Sequence, residues 1–495
     1  MSDAGVMKAW PEDERGGRRR STGHLAAPDR RANLQRHRSG NSMGGEMHGR
    51  AVAGLMVTVA LTLVTGRPVA AQSLADLVLE LFAFGQCGVP LCLDPDFEET
   101  GNFDTEHGRH YLRERVPRND ALILAFQGGI AGVVGSLPPT AMSGGRIWSD
   151  EDRSASFGPI FAERAETLGM GRFFLGLEAT AFQVTNFSGV PADNLVLNFF
   201  HEDSNVALGP DPGLGLPLFE RDVFRVRTNL DLDYTVATAV LSAGLASFLD
   251  VGFAVPVVRT NLRGTAHAQI LPFGNALAHR FGGTPTAPVL EASNSVRGSA
   301  TGIGDVSARV KINLTGGTTV GRAPPPLGMA LLADVTFPTG QEEDLLGLGE
   351  GRGRAMAILS LNRGRFSPHL NAGYLLREGN LRDRNFDRDA WLATVGFDAR
   401  ASDVVTVAAD LITRWELADP EHPLPGPVTF VGTPSLTVES SSLPDVDRRF
   451  IDLAVGLKYM LGRDMILATN ALLPVQAAGL RADILWTLGI QGTFR

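Results

Sequence analysis

The chain has 495 residues, 44% of them apolar and 20% charged, with 57 Gly and 29 Pro. That is about three typical domains of ~150 residues, and Gly plus Pro stays below the ~25% of low-complexity chains. Two Cys exclude a disulfide scaffold and any Cys-rich metal module, and a net charge of −9 argues against nucleic acid, whose phosphates need a basic face.

Residues 1–46 are polar and Arg-rich, as in Arg18-Arg19-Arg20 and Arg30-Arg31. They read either as a basic tail for nucleic acid or lipid, or as an extension from a mis-assigned start, with translation beginning at Met43 or Met47. The second reading is favoured because a secretory signal follows. Met47-His48-Gly49-Arg50 is its basic start, and 51–64 is an apolar run of 14 residues, too short for a spanning helix of about 20. Val69-Ala70-Ala71 before Gln72 is a small-x-small cleavage site, so 47–71 is predicted as a signal peptide and the mature chain begins at Gln72. The segment 1–71 carries 11 Lys/Arg and 6 Asp/Glu, which leaves a mature net charge of −14. Export into an oxidising compartment predicts a local disulfide between Cys87 and Cys92, just after a short amphipathic run at 74–84.

From about residue 171 the dominant signal is strict alternation, the mark of strands with one apolar face. Phe224, Val226, Leu230, Leu232 and Tyr234 alternate with Arg225, Arg227, Asn229, Asp231 and Asp233. Val306, Val310 and Ile312 alternate with Asp305, Arg309 and Lys311, and Ile451, Leu453, Val455, Leu457 and Tyr459 with Asp452, Ala454, Gly456 and Lys458. The same period recurs at 369–376, 391–398, 405–416 and 480–494. Such runs exceed the usual ~5–6 residues of globular strands and match the ~9–11 needed to cross a bilayer at a tilt. Trp415, Tyr459, Trp486 and Phe494 fall near strand ends, where aromatic girdles form.

The expected fold is therefore all-β: a transmembrane antiparallel β-barrel, closed because every backbone group must pair inside lipid. Short connections at 246–248, 363–365, 401–403 and 461–464 alternate with longer loops at 202–221, 261–300, 340–353, 379–388 and 417–448, the rhythm of outer-membrane barrels. Two connections depart from it: 315–328 is long and 474–479 short. Thirteen strands are read from 171 onward, and bacterial barrels have even numbers. The segment 122–137 supplies a fourteenth in the preferred count, with 12 as the alternative. Residues 72–160 are expected to form an N-terminal segment that plugs the lumen and contributes that strand, and 161–495 the barrel.

Four stretches carry a resemblance. They are Phe157-Gly158-Pro159-Ile160-Phe161-Ala162-Glu163-Arg164 with Leu168-Gly169; Leu249-Asp250-Val251-Gly252 with Val255-Pro256; Gly302-Ile303-Gly304-Asp305-Val306 with Arg309 and Lys311; and Phe337-Pro338-Thr339-Gly340-Gln341-Glu342-Glu343 with Leu346-Gly347 and Gly349. In this order the chain resembles the meta-pathway phenol-degradation family of outer-membrane barrels, transporter-like and related to fatty-acid-uptake channels. That likeness implies uptake or passage of small hydrophobic or aromatic compounds. Physically the motifs read as architecture. Pro338-Thr339-Gly340 ends a strand at its rim, and Gly302-Ile303-Gly304-Asp305 begins one without the following helix that a phosphate loop requires.

No Gly-x-Ser-x-Gly elbow accompanies the histidines, so no enzyme, catalytic residue, cofactor or metal site is expected. The acidic loop 341–350, with Glu342, Glu343, Asp344 and Glu350, lacks EF-hand spacing and reads as a solvated or lipopolysaccharide-facing loop. Lumen-lining candidates are Arg225, Arg227, Asp231, Asp233, Arg309, Lys311, Asp452 and Lys458. The expected function is an outer-membrane conduit for small solutes, exported through the Sec pathway; the competing one is a structural or surface-interaction barrel. Expected partners are outer-membrane lipid and lipopolysaccharide, periplasmic chaperones and the barrel-assembly machinery, and no nucleic acid.

Overall fold

The alternation from Phe173 onward forms strands, since a strand sends successive side chains to opposite faces. The computed structural model describes residues 72–85, 91–93, 110–111, 116–135, 156–201, 221–273, 279–284, 286–318, 325–378, 389–417, 424–430, 435–444, 448–462, 464–476 and 479–495. The extension 1–46, the signal segment 47–71 and Cys87 lie outside the described residues, as does the side chain of Cys92. Two helices come first, α1 (Leu74–Glu80) and α2 (Pro117–Gly135). The strands are β1 (Phe173–Val184), β2 (Leu195–Phe200), β3 (Asp222–Ala246), β4 (Leu249–Pro272), β5 (Glu291–Ile303), β6 (Ser307–Asn313) and β7 (Leu327–Thr336). Then come β8 (Gly351–Leu361), β9 (Phe366–Glu378), β10 (Ala390–Arg400), β11 (Val405–Glu416), β12 (Arg449–Met460), β13 (Met465–Pro474) and β14 (Leu485–Phe494).

These fourteen strands form one antiparallel sheet, and the β3–β4 pairing closes it on itself. The ring holds twelve: β1, β3, β4 and β6 to β14. The other two, β2 and β5, pair only with the far halves of β3 and β4. Twelve strands, not fourteen, therefore close the barrel. Nor does 122–137 supply a strand. Residues 117–135 are the helix α2, with Pro117 at its first position and Leu122, Phe126 and Ile130 buried at a spacing of four.

β3 and β4, at 25 and 24 residues, are twice the length of their neighbours. Their inward faces are the even-numbered residues throughout, yet the polarity of those faces reverses part-way along. Near the turn end, Leu241 and Phe253 point out, 50% and 54% exposed, while Ser242 and Asp250 point in. Beyond Ala237 and its partner Val257, the outward residues become Thr235, Asp233, Asp231, Arg259, Asn261 and Arg263, and the inward ones Tyr234, Leu232, Leu230, Leu262 and Ala266. The first half, about nine residues per strand, is thus a lipid belt. The second projects roughly 50 Å further along the strand, wet outside and greasy inside.

Arg225, Arg227, Asp231 and Asp233 are therefore corrected from lumen-lining to outward-facing. Their alternation is real, but it belongs to a stretch beyond the belt, where water lies outside. The loop read at 261–300 is corrected too: most of it is β4 and β5, whose small and polar residues hid the period.

The belt is framed by aromatics. Tyr374, Trp391 and Trp415 are directly opposed on β9, β10 and β11 near the loop end, with Trp486 at the same level on β14. Phe173, Phe248, Phe366, Phe397, Tyr459 and Phe494 ring the turn end, all exposed. This closed, apolar-belted ring is an outer-membrane type of β-barrel. No described helix is long and apolar enough to cross a membrane.

The greasy inner face of the projecting sheet is covered by α1 and α2. Ser73 caps α1 by accepting from the Asp76 amide at 3.1 Å. Leu74, Leu77, Val78, Leu81 and Phe82, with Leu122, Ile123, Phe126 and Ile130, join one buried cluster with Phe224, Val226, Leu230 and Leu262. Gly264 and Gly298 leave the space into which Leu81, Leu77 and Leu74 fit. Asn119 fixes α2 laterally, donating to the Phe200 carbonyl at 2.8 Å and accepting from its amide at 3.0 Å. At ~1.5–3 kcal/mol for each buried apolar side chain, this cap is firmly seated.

Candidate functional site

Residues 156–170 cross the barrel near its turn end before the chain enters β1. A segment without regular structure must satisfy its backbone elsewhere, and inward-facing polar side chains do so. The amides of Ile160, Phe161 and Ala162 donate to Asp410 of β11 at 3.2, 2.8 and 3.2 Å. Glu163 exchanges backbone bonds with the Asn371 amide side chain of β9, at 2.7 and 2.9 Å. Ala165 donates to Ser360 of β8 and accepts from Asn313 of β6, and Leu168 donates to Asp250 of β4 at 2.8 Å. Two charged side chains secure this strap. Arg164 lies 2.6 Å from Asp398 of β10, and Glu163 meets Arg309 and Lys311 of β6 at 2.5 and 3.4 Å. At the exit, a Cβ on Gly244 would run into the Gly169 carbonyl, so only glycine lets the strap lie against β3.

Above the strap lies a chamber of about 270 Å³. Phe161 and Glu163 line it from below. Its wall has two charged sectors: Asp305, Arg309, Asp334, Arg352 and Arg354 on one side, Arg414, Asp452 and Arg481 on the other. Arg354 pairs with Asp334 at 2.6 Å, Arg352 with Asp305 at 3.5 Å and Arg481 with Asp452 at 2.9 Å. Two aliphatic sectors separate them, Leu375, Leu392 and Ile412 on one flank and Leu472, Leu485, Val236 and Val258 on the other. The Arg414 guanidinium lies 4.0 Å over the Phe450 ring.

Of the sequence candidates, Arg309, Lys311, Asp452 and Lys458 face the lumen and are buried, and the first two meet on Glu163. Arg225, Arg227, Asp231 and Asp233 are outside it. His369 is fully buried between Asp398 at 3.5 Å and Asp410 at 2.7 Å, both of which hold the strap. The loop 341–350 folds inward rather than facing lipopolysaccharide. Leu345 and Leu346 enter the core cluster, and Asp344 accepts from the Leu74 amide at 3.4 Å. Asp305 accepts from the amides of Gly340 and Leu348, both at 3.0 Å, while Thr339 donates to the Gly304 carbonyl at 2.7 Å. Gly304-Asp305-Val306 separates β5 from β6 and is locked to the fourth motif. The sockets Asp398, Asp410, Asn371 and Asp250 escaped sequence reading because an inward polar residue is ordinary in any lumen. The first motif, a non-alternating run ahead of the strands, was the available signal. Among the described residues, no group of three or more His, Cys, Asp or Glu is placed to hold a metal ion.

Residues 220–398 match the family described as "Putative MetA-pathway of phenol degradation". The resemblance drawn from the motifs holds. Several solved structures are similar at low identity. The COG4313 outer membrane channel from Pseudomonas putida F1 is 10% identical, covering 67% of this chain and 98% of that one, with a TM-score of 0.36. A Pseudomonas aeruginosa FadL homologue is 13% identical over 74% and 97%, TM-score 0.28, and the Ralstonia pickettii toluene transporter TbuX 14% over 73% and 99%, TM-score 0.26. No curated protein matches the chain.

Proposed function

We propose that this protein is an outer-membrane conduit for small solutes with an apolar or aromatic body, exported through the Sec pathway, matured at Gln72 and inserted by the barrel-assembly machinery. The observation that carries the reading is the chamber above the strap. At about 270 Å³ it has room for a single-ring molecule, given that a cavity of about 150 Å³ already takes up benzene, and it is small for a long chain. Aliphatic sectors supply contact for the ring, and the guanidiniums supply donors for a hydroxyl or carboxyl group. The strap, with the N-terminal segment 72–160, acts as the plug. Arg309, Lys311, Asp452 and Lys458 are the wall residues a passing solute meets or that hold the plug in place.

Liposome uptake is the test. Phenol-sized solutes should enter vesicles carrying the refolded protein faster than a disaccharide does, beyond the rate of protein-free vesicles. Equal uptake with and without protein would favour the second reading, a structural barrel whose ion-paired strap only stiffens the wall.

A further inference from the structure

The outer face of the projecting sheet carries arginines just above the lipid belt, and their arrangement is unusual. Arg263 of β4 is directly opposite Arg297 of β5, and Arg259 lies four pairs nearer the belt, opposite Thr301. Like charges directly opposite across a ladder repel, and nothing in the strand requires a cation at 297. Between residues 259 and 269 on β4, and 292 and 303 on β5, there is no Asp or Glu. The face offers instead Asn261, Ser299 and Thr301, all able to donate hydrogen bonds. On the β3 side, Asp231 stands opposite Arg263 and reaches it at 3.5 Å, and Asp233 stands opposite Asn261. The acidic groups thus lie on one flank only, and the Arg263 side chain, 61% exposed, faces Arg297 on the other. Beyond β5 the sheet has no further strand among the described residues.

Height decides what meets this face. The outward residues change from Val257 to Arg259 on β4 and from Ile303 to Thr301 on β5, so the hydrocarbon ends there. At ~3.3 Å per residue and a tilt of about 40°, Arg259, Arg263 and Arg297 span roughly the first 5–15 Å above it. The short turns are at the other end of the barrel, which places this end on the outer leaflet.

We propose that Arg259, Arg263 and Arg297, with Asn261, Ser299 and Thr301, form a binding site for the phosphate groups of an anionic glycolipid of the outer leaflet. The lipid phosphate sits between Arg263 and Arg297 and converts their repulsion into a bidentate clamp. The assignment rests on the membrane reading of the belt and is independent of transport.

The test uses the full chain refolded in neutral detergent, with heat-modifiable gel mobility as the check of folding. Binding is measured to lipopolysaccharide carrying its lipid phosphates, to the same glycolipid after dephosphorylation, and to inorganic phosphate. The expected result is at least tenfold weaker binding to the dephosphorylated glycolipid. A similar loss is expected for the folded Arg263→Ser/Arg297→Ser variant, whereas Arg225→Ser, at a residue bonded to Asn198 farther up the sheet, binds normally. Arg297→Thr alone should raise the melting temperature in neutral detergent, by relieving the repulsion, and lower it when lipopolysaccharide is present. A purely structural arginine would not change sign. Binding unaffected by dephosphorylation or by the double variant overturns the site. Equal protection by inorganic phosphate at matched concentration also overturns it, by placing a free anion there instead of a lipid.

Discussion

The Glu163 carboxylate lies 2.5 Å from the Arg309 guanidinium, with the Lys311 ammonium at 3.4 Å and all three side chains at least nine-tenths buried. One carboxylate of the strap thus pairs with two cations of the wall. The first, third and second motifs meet here and at Asp250, which receives the Leu168 amide. The four separate signatures of the sequence are one strap with its sockets and one interlocked rim.

Glu163→Gln should accordingly destabilise the protein, by about 3–5 kcal/mol, the usual result of leaving buried charges unpaired. Removing a cation as well, in Glu163→Gln/Arg309→Gln, should recover part of the loss, since the two sites are coupled. Thermal or urea melts of the refolded barrel measure both. Additive losses in the double variant would mean that the pair does not hold the strap.

The polarity reversal along β3 and β4 makes a positional prediction. Phe253→Arg, in the belt, should impair assembly, at a cost of about 2–4 kcal/mol near the midplane, while Thr265→Arg on the same face of the same strand should fold normally. On β12, Leu453→Arg and Leu457→Arg should fail in the same way, whereas Asp452→Asn, which faces the lumen, should still assemble and lose only the stability of its buried pair with Arg481. Folding yields in liposomes separate these outcomes. Similar yields for Phe253→Arg and Thr265→Arg would show that the belt edge is misplaced.

At the outer end, three imidazoles pack together: the His110 and His201 rings are 4.6 Å apart and those of His201 and His279 5.2 Å. Burial, and then the neighbouring His110, hold His279 down to about 3, although Asp222 lies 2.9 Å from its Nδ1. The unfolded chain, with an ordinary histidine near ~6.5, therefore binds the proton more readily. Stability is at its plateau above about pH 6.5 and is lost as the pH falls from there toward about 3. The protection of amides around residues 110–111, relative to their intrinsic exchange at each pH, should fall as the pH drops from about 6.5 to 5, and His279→Gln should flatten that dependence. An unchanged pH profile in the variant would assign the effect to other groups.

Much of the barrel was legible because lipid imposes a simple rule, apolar out and polar in, on every belt strand. β12 shows it: Leu453, Val455 and Leu457 face outward, Asp452 and Lys458 inward. The same rule misleads at Arg225, Arg227, Asp231 and Asp233, because alternation reports which residues share a face but not which medium that face meets. Where β3 leaves the membrane the media exchange sides and the parity does not. The helix α2 was not legible as a helix because an apolar run such as 122–130 suits a buried strand equally well. The strap showed as a motif, but its role was hidden for another reason. Its partners are single polar residues on separate strands, brought together only by closure of the ring.

Whether a conduit lies behind the strap is tested most directly by planar-bilayer conductance of the refolded wild type beside Glu163→Gln/Arg164→Gln/Asp410→Asn, which removes the strap's charged anchors. Phenol flux is recorded on the same preparations, and gel mobility confirms that both are folded. Conductance should be several-fold higher in the variant, with phenol still crossing both. Equal conductance in two folded barrels would contradict a strapped conduit.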